Sequence, residues 1–169
     1  MKRLYALAGL VAVATPLAMS AASRAAGDTP SNASPIYGVT LPDGYRSWEF
    51  IAPATEAAPL DELRVVVGNQ TALDAYRSGT LPFPDGTVLV KLAWKQKPSP
   101  EFAPATVPGA ATTMQVMVKD SRRYAATGGW GFGRFVNGVP ADKAQHETCW
   151  GCHEALVKGH DFVFTRYAP

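Results

Sequence analysis

The stretch Thr87-Val88-Leu89-Val90-Lys91-Leu92-Ala93-Trp94-Lys95 decides the fold. Val88, Val90, Leu92 and Trp94 form one wholly apolar face, and Thr87, Leu89, Lys91, Ala93 and Lys95 form the other. Side chains of a strand alternate between two faces, so this pattern predicts a β-strand with two faces of unequal polarity. On its amino-terminal side, Pro82 to Gly86 reads as a turn, Ala72 to Arg77 as a helix stopped at Gly79, and Leu63 to Val67 as a β-branched strand closed by Gly68-Asn69. Further back, Trp48 to Ile51 reads as a short strand after the turn signal Leu41-Pro42-Asp43-Gly44.

On its carboxyl-terminal side, Pro98 to Ala111 reads as a long Pro- and Ala-rich loop. Thr112 to Lys119 is expected as a strand with Met114, Val116 and Val118 on one side and Gln115 and Met117 on the other. A helical turn over Ser121 to Ala126, a glycine-broken strand over Trp130 to Val136, a helix over Glu147 to Lys158 and a last strand over Phe162 to Tyr167 complete the pattern. Five or six strands joined by turns or short helices favour an antiparallel sheet. The fold class is therefore α+β: one domain, a mainly antiparallel sheet and a few helices.

The chain has 169 residues, 47% hydrophobic and 18% charged, a composition for one globular domain. Net charge is +2, which gives no strong electrostatic attraction to nucleic acid or an anionic membrane. The first residues read as an address. Lys2 and Arg3 precede an apolar run from Leu4 to Ala14, then Pro16 and the small residues Ser20-Ala21-Ala22-Ser23. This is the pattern of a secretory signal peptide over residues 1–22, cleaved after Ala22, with a site nearer Ala26 as the alternative. Its removal takes two basic residues from the chain and brings the remaining charge to neutrality. Residues 23–36, rich in Ser, Ala, Pro and Asp, read as a flexible leader, and residues 37–169 as the domain. The expectation is an exported, periplasmic protein, off the membrane once the signal peptide is cleaved.

Both cysteines of the chain fall in Cys149-Trp150-Gly151-Cys152-His153. C-x-x-C-H attaches c-type haem, the two thiols bonding the porphyrin and the histidine supplying the proximal iron ligand. A zinc site asks for about four ligands, and a redox cysteine pair does not require the histidine. Cys149 and Cys152 are thus expected to bind haem c and His153 its iron. The sixth iron position has no obvious occupant: no methionine follows His153, and Met114 and Met117 lie upstream on a strand as core fillers. His146 is too near the motif to swing over the iron, and His160 reads as a surface or supporting histidine. A five-coordinate iron with an open face follows, suited to binding small molecules or acting on them. The strand-rich pattern speaks against a four-helix cytochrome c′.

At this point the chain resembles the cytochromes P-460 and their relatives, the beta-type cytochromes c′. The residues carrying the resemblance are Gly44-Tyr45-Arg46-x-Trp48, Phe83-x-Asp85-Gly86-Thr87-Val88-x-Val90-Lys91, and Val118-Lys119-Asp120-Ser121-x-Arg123-Tyr124-Ala125 running on to Gly129-Trp130-Gly131-Phe132. The haem motif and Phe162-Val163-Phe164-Thr165-Arg166-Tyr167 complete it. The resemblance implies a mainly antiparallel sheet, a homodimer and a periplasmic electron-transfer partner. In the P-460 branch a lysine is bonded to a haem meso carbon and the protein oxidises hydroxylamine. In the beta-type c′ branch that bond is absent and the haem binds gases such as nitric oxide under aromatic side chains.

Lys91 matches the cross-linking lysine of that pattern, with Lys95 as the fallback on the same face. Arg64 matches a distal arginine able to steady a substrate or an anionic nitrogen oxide; its alternative is a salt bridge with Asp61 or Glu62. Gln115 departs from the pattern, which has glutamate there. An amide keeps the shape and the hydrogen bonding but is no general base near neutral pH. The aromatics expected to line a pocket are Phe50, Phe83, Trp130 and Phe132. The resemblance thus implies hydroxylamine oxidation, or handling of nitric oxide and related small nitrogen species, with a non-catalytic gas-binding protein or an electron carrier as alternatives.

Overall fold

The computed structural model describes residues 32–168; the expected signal peptide lies outside the described residues. Six strands follow one another as β1 (Glu49–Glu56), β2 (Glu62–Gly68), β3 (Val88–Pro98), β4 (Thr106–Lys119), β5 (Trp130–Val136) and β6 (Val139–Pro140). They form one sheet in the order β1-β2-β3-β4-β5-β6, each neighbouring pair antiparallel. Helix α1 (Gln70–Ser78) joins β2 to β3, and α2 (Lys143–Val157) follows β6. The α+β class holds. No helix among the described residues is long and apolar enough to cross a membrane.

Both helices start on caps. The Asn69 side chain accepts from Ala72 N at 3.1 Å and from Val88 N at 3.0 Å, so one carboxamide starts α1 and ties it to β3. Gly79, at φ +66°, ends α1 in the left-handed conformation. A side chain on Gly68 would come within 2.8 Å of the Ala72 Cβ; the bare backbone there lets α1 lie close on the sheet. Asp142 caps α2 by accepting from Gln145 N at 2.9 Å, so the helix starts four residues before the Glu147 expected from the apolar pattern.

Both sheet faces are covered. One packs Ile51, Val66, Leu89, Trp130 and Phe132 against Ala72, Leu73 and Ala75 of α1, together with Phe83 and Val163. The other packs Val67, Val90, Val116 and Phe135 against Val39 and Tyr124. Each fully buried aliphatic or aromatic side chain stabilises by about 1.5–3 kcal/mol. The wholly apolar face read from β3 is the one lying under the amino-terminal segment, and the face carrying Leu89 and Lys91 holds the helices.

Three expectations change. Half of the loop expected over Pro98 to Ala111 is strand: β3 and β4 pair out to Pro98 and Thr106, with register shifts between Leu92 and Trp94 and between Trp94 and Gln96. Such irregularities accommodate prolines near an exposed hairpin end. Phe162 to Tyr167 forms no strand, because Asp161 and Phe162 turn the chain at φ +46° and +63° and the tail then crosses the sheet face. Its aromatic alternation reflects contacts with helices: Tyr167 stacks on Tyr76 at 6.0 Å. The expected leader overlaps the packed domain, since Ala33 is 8% exposed and Ser34 is fully buried. Ser34 Oγ donates to Phe132 O at 2.9 Å, so that stretch is pinned to β5.

Candidate functional site

Helix α2 brings the motif together. Cys149, Cys152 and His153 stand three and four residues apart, a spacing that sets all three on one helical face. All three line a cleft of about 780 Å³ bounded by α2, the sheet face carrying Lys91 and the tail from Val163 to Arg166. The helix is anchored by His146, which is fully buried. Its Nε2 accepts from Arg134 N at 2.9 Å and its Nδ1 donates to Asp142 O at 2.8 Å. Both ring nitrogens are used, so His146 is a fastening between α2 and β5 and not a ligand.

His153 is held differently. Its Nδ1 donates to Phe162 O at 2.7 Å, and the ring lies 4.9 Å from both Phe132 and Phe164. With Nδ1 carrying the proton, Nε2 keeps a free lone pair, the form a metal ligand requires. Burial pushes the imidazole below its ordinary range, with the Phe162 carbonyl opposing, which favours that neutral form. Cys149 is half-buried and Cys152 exposed, both as free thiols. Burial pushes the Cys149 thiol up, and Arg134 opposes this.

The sheet wall of the cleft is a cross-strand row. Val66 pairs with Lys91, Lys91 with Gln115 and Gln115 with Arg134. Lys91 and Gln115 are half-buried and both line the cleft; Gln115 Nε2 donates to Thr113 Oγ1 at 3.4 Å. Burial, then the charges of Arg64 and Arg134, lowers the Lys91 ammonium from 10.5 to about 8. In the unfolded chain the amine keeps its proton to about 10.4. Between those values the unfolded state binds more protons, so stability climbs with pH. Lys91→Met, compared with the parent in a haem-free Cys149→Ser, Cys152→Ser background, is expected to abolish that climb. At pH 7 the variant gains about 2 kcal/mol, allowing for the solvent that reaches a half-buried amine. Urea titrations from pH 7 to 10 check this, and equal slopes in the two chains would remove the claim.

Arg64 also lines the cleft. Its Nε and Nη2 donate to Glu62 Oε2 at 2.9 and 2.6 Å, and its Nη1 pairs with Glu56. Glu62, 5% exposed, also accepts from Thr112 Oγ1 at 2.6 Å. The two readings of Arg64 therefore coincide: the residue faces the cleft and is salt-bridged, to Glu62 and Glu56 but not to Asp61. Lys95, the fallback for Lys91, is exposed and its Nζ donates to Leu60 O; it is not among the cleft residues.

Of the aromatics expected in the pocket, only Phe132 lines it, joined by Phe164. Phe83 and Trp130 are core residues, 3% and 0% exposed, and Phe50 is a surface residue, 46% exposed. Met114 Sδ accepts from Tyr45 Oη at 2.9 Å, whereas Met117 packs on the core and borders the cleft. His160 Nδ1 pairs with Val163 O at 2.8 Å. Sequence reading missed Arg134, Glu56, Phe164 and Arg166. Arg134 was within reach: it stands two and four residues after Phe132 and Trp130, and so on their face of β5.

An iron porphyrin fits these residues. The volume lies within the range of about 300–1,000 Å³ usual for cofactor pockets. Apolar side chains wall it, including Leu89, Met117, Phe132 and Val163, together with Leu156 and Phe164, which stand 68% and 47% exposed. Among the described residues no group of three or more His, Cys, Asp or Glu could hold a bare metal ion, whereas a porphyrin brings its own nitrogens and asks the chain for one axial donor. The Arg134 Nε is buried with no hydrogen-bond partner, a donor left over at the wall of the cleft.

The chain matches a family model, that of cytochrome P460, over residues 42–165. No curated protein matches it.

Proposed function

The chain belongs to the cytochrome P460 family, and from that premise we propose an exported haem c protein, joined through Cys149 and Cys152, that binds small nitrogen species on an open iron face opposite His153. The family implies haem; the attachment and the ligand are our reading. It is carried by one observation: two free thiols and an imidazole with an unprotonated Nε2 share one helical face against a cleft of about 780 Å³. Bound there, haem would supply an iron able to take electrons from hydroxylamine or to bind nitric oxide.

The chain's own residues divide the remaining work. His153 would supply the chain's nitrogen ligand to the iron through its Nε2. Lys91 presents to the cleft an amine whose burial lowers it to about 8, so a neutral, nucleophilic fraction is present near physiological pH. Arg64 lines the cleft but is shared by two carboxylates. Gln115 lines the cleft beside Lys91, and its amide offers no basic site to a proton that leaves a bound substrate. That last feature favours the second reading, a gas-binding haem protein with little or no turnover. A homodimer and a periplasmic electron acceptor complete the proposal.

The ferrous absorption spectrum, with peptide mapping of the haem-bearing fragments, tests this. A broad, strongly red-shifted Soret band and a Lys91 peptide that travels with the haem peptide are expected if the lysine is bonded. An ordinary five-coordinate band with a free Lys91 peptide selects the gas-binding reading. A six-coordinate spectrum in both oxidation states would overturn both and leave an electron carrier.

A further inference from the structure

Behind His153 lies a second layer that sequence patterns give no reason to connect with it. Lys119, on β4, and Asp161, beyond α2, are paired with side chains only 6% and 8% exposed. Lys119 Nζ donates to both Asp161 carboxylate oxygens at 2.8 Å and to Gly128 O at 3.0 Å. Asp161 is fixed at two further points. Its Oδ2 accepts from Phe83 N at 2.8 Å, and its main-chain oxygen accepts from Trp130 Nε1 at 2.8 Å.

These bonds hold a turn the backbone would not choose. Asp161 and Phe162 sit at φ +46° and +63°, a left-handed region that L-residues with a side chain enter at a cost and hold only when their surroundings fix them. The Phe162 ring is wedged between Trp150, at 4.7 Å, and Gly128, where a Cβ would lie 2.3 Å from it. The result of the turn is that the Phe162 carbonyl points back at α2 and accepts from His153 Nδ1 at 2.7 Å.

We infer that Lys119, Asp161 and Trp130 are positioning residues for the axial histidine, holding the Phe162 carbonyl that orients His153 and sets the basicity of its Nε2. The inference rests on the haem reading given above. A carbonyl that accepts from the far ring nitrogen fixes the tautomer and raises the donor strength of the near one. A turn fastened to the sheet by a buried ion pair keeps that hydrogen bond short, and a loosened turn lets it lengthen. Lys119 and Asp161 therefore act on the iron without touching it, through one backbone oxygen.

The test uses the mature haem-loaded protein and two variants. Asp161→Asn keeps the shape but removes the charge that holds Lys119. Trp130→Phe removes the indole N–H donated to the Asp161 carbonyl, together with part of the buried ring that Lys119 Nζ faces at 5.0 Å, and leaves both charges of the Lys119–Asp161 pair in place. Both are expected to lower the iron–histidine stretching frequency of the ferrous protein in resonance Raman and to raise its midpoint potential, Asp161→Asn more than Trp130→Phe. Leu73→Ala, a core truncation in α1, is the control: it lowers thermal stability and leaves the vibrational band in place. An unchanged band and potential in both haem-loaded variants overturns the inference. So does a shift of equal size in Leu73→Ala, which would mark the effect as general loosening. A parent chain that carries no haem overturns the haem reading itself, and this is seen before any variant is made.

Discussion

Serine at both Cys149 and Cys152 is expected to leave the purified chain with no haem that survives denaturing electrophoresis. A thioether forms from a thiol, a hydroxyl does not replace it, and the chain has only these two cysteines. His153→Ala is expected to behave differently: both thioethers remain, the haem stain persists, and the change appears in the spectrum as loss of the axial nitrogen. The pair of results separates attachment from ligation. Stability follows attachment. Without its occupant the cleft leaves apolar walls to water, among them Leu156 and Phe164, already 68% and 47% exposed. At about 25 cal/mol per Å², a few hundred Å² of apolar surface uncovered amounts to several kcal/mol. For a domain of this size each kcal/mol moves the thermal midpoint by roughly 3–5 °C. The double serine chain should therefore melt well below the parent while its second core, around Val90, Val116 and Phe135, keeps the sheet together. A haem stain of parental intensity in the double serine chain would sink the assignment.

How much of this was open to reading is best seen at β3. Its alternation placed Lys91, Leu89 and Ala93 on one face, and the structure keeps them there. What alternation could not say is which face carries the site, because both are covered and the more apolar one faces the amino-terminal segment. The Cys149-x-x-Cys152-His153 group was legible because helical spacing alone brings it to one face. Arg64 was half legible: Glu62, two residues away, was foreseeable as a partner, whereas Glu56 reaches it only through the β1–β2 pairing. The tail misled for a physical reason. Phe162, Phe164 and Tyr167 look like strand residues, but the left-handed pair Asp161 and Phe162 directs the chain across the sheet face, and no glycine stands at either position to mark the turn. Lys119, which pairs with Asp161, lies at the end of β4, so the pairing exists only in the folded chain.

The second large effect is a gain. Gln115→Glu is expected to raise hydroxylamine oxidation by about 10²–10⁴-fold, the range a positioned general base supplies. Oxidation of hydroxylamine releases protons with its electrons, and a basic group at the cleft wall would speed their departure. Gln115 lies in that wall, between Lys91 and Arg134 in the strand pairing, and its carboxamide has no basic site near neutral pH. A carboxylate of the same length can stand in the same place. Its two cationic neighbours would hold it ionised, since nearby positive charge favours the charged form of an acid. The variant should therefore gain an acid limb, its rate falling as pH drops through a carboxylate pKa at or below the ordinary value of about 4.3, where the parent rate is flat. Arg64 is not expected to substitute, because its guanidinium is held by Glu62 and Glu56. The check is steady-state reduction of an artificial electron acceptor by hydroxylamine, parent against variant, from about pH 3.5 to 8, with haem content measured in each. A variant that is fully haem-loaded, binds nitric oxide as the parent does and still turns over no faster would show that the proton does not leave through position 115. The missing base would then not be what limits this chain, and the limit would have to be sought at Lys91, in whether its amine is bonded to the haem.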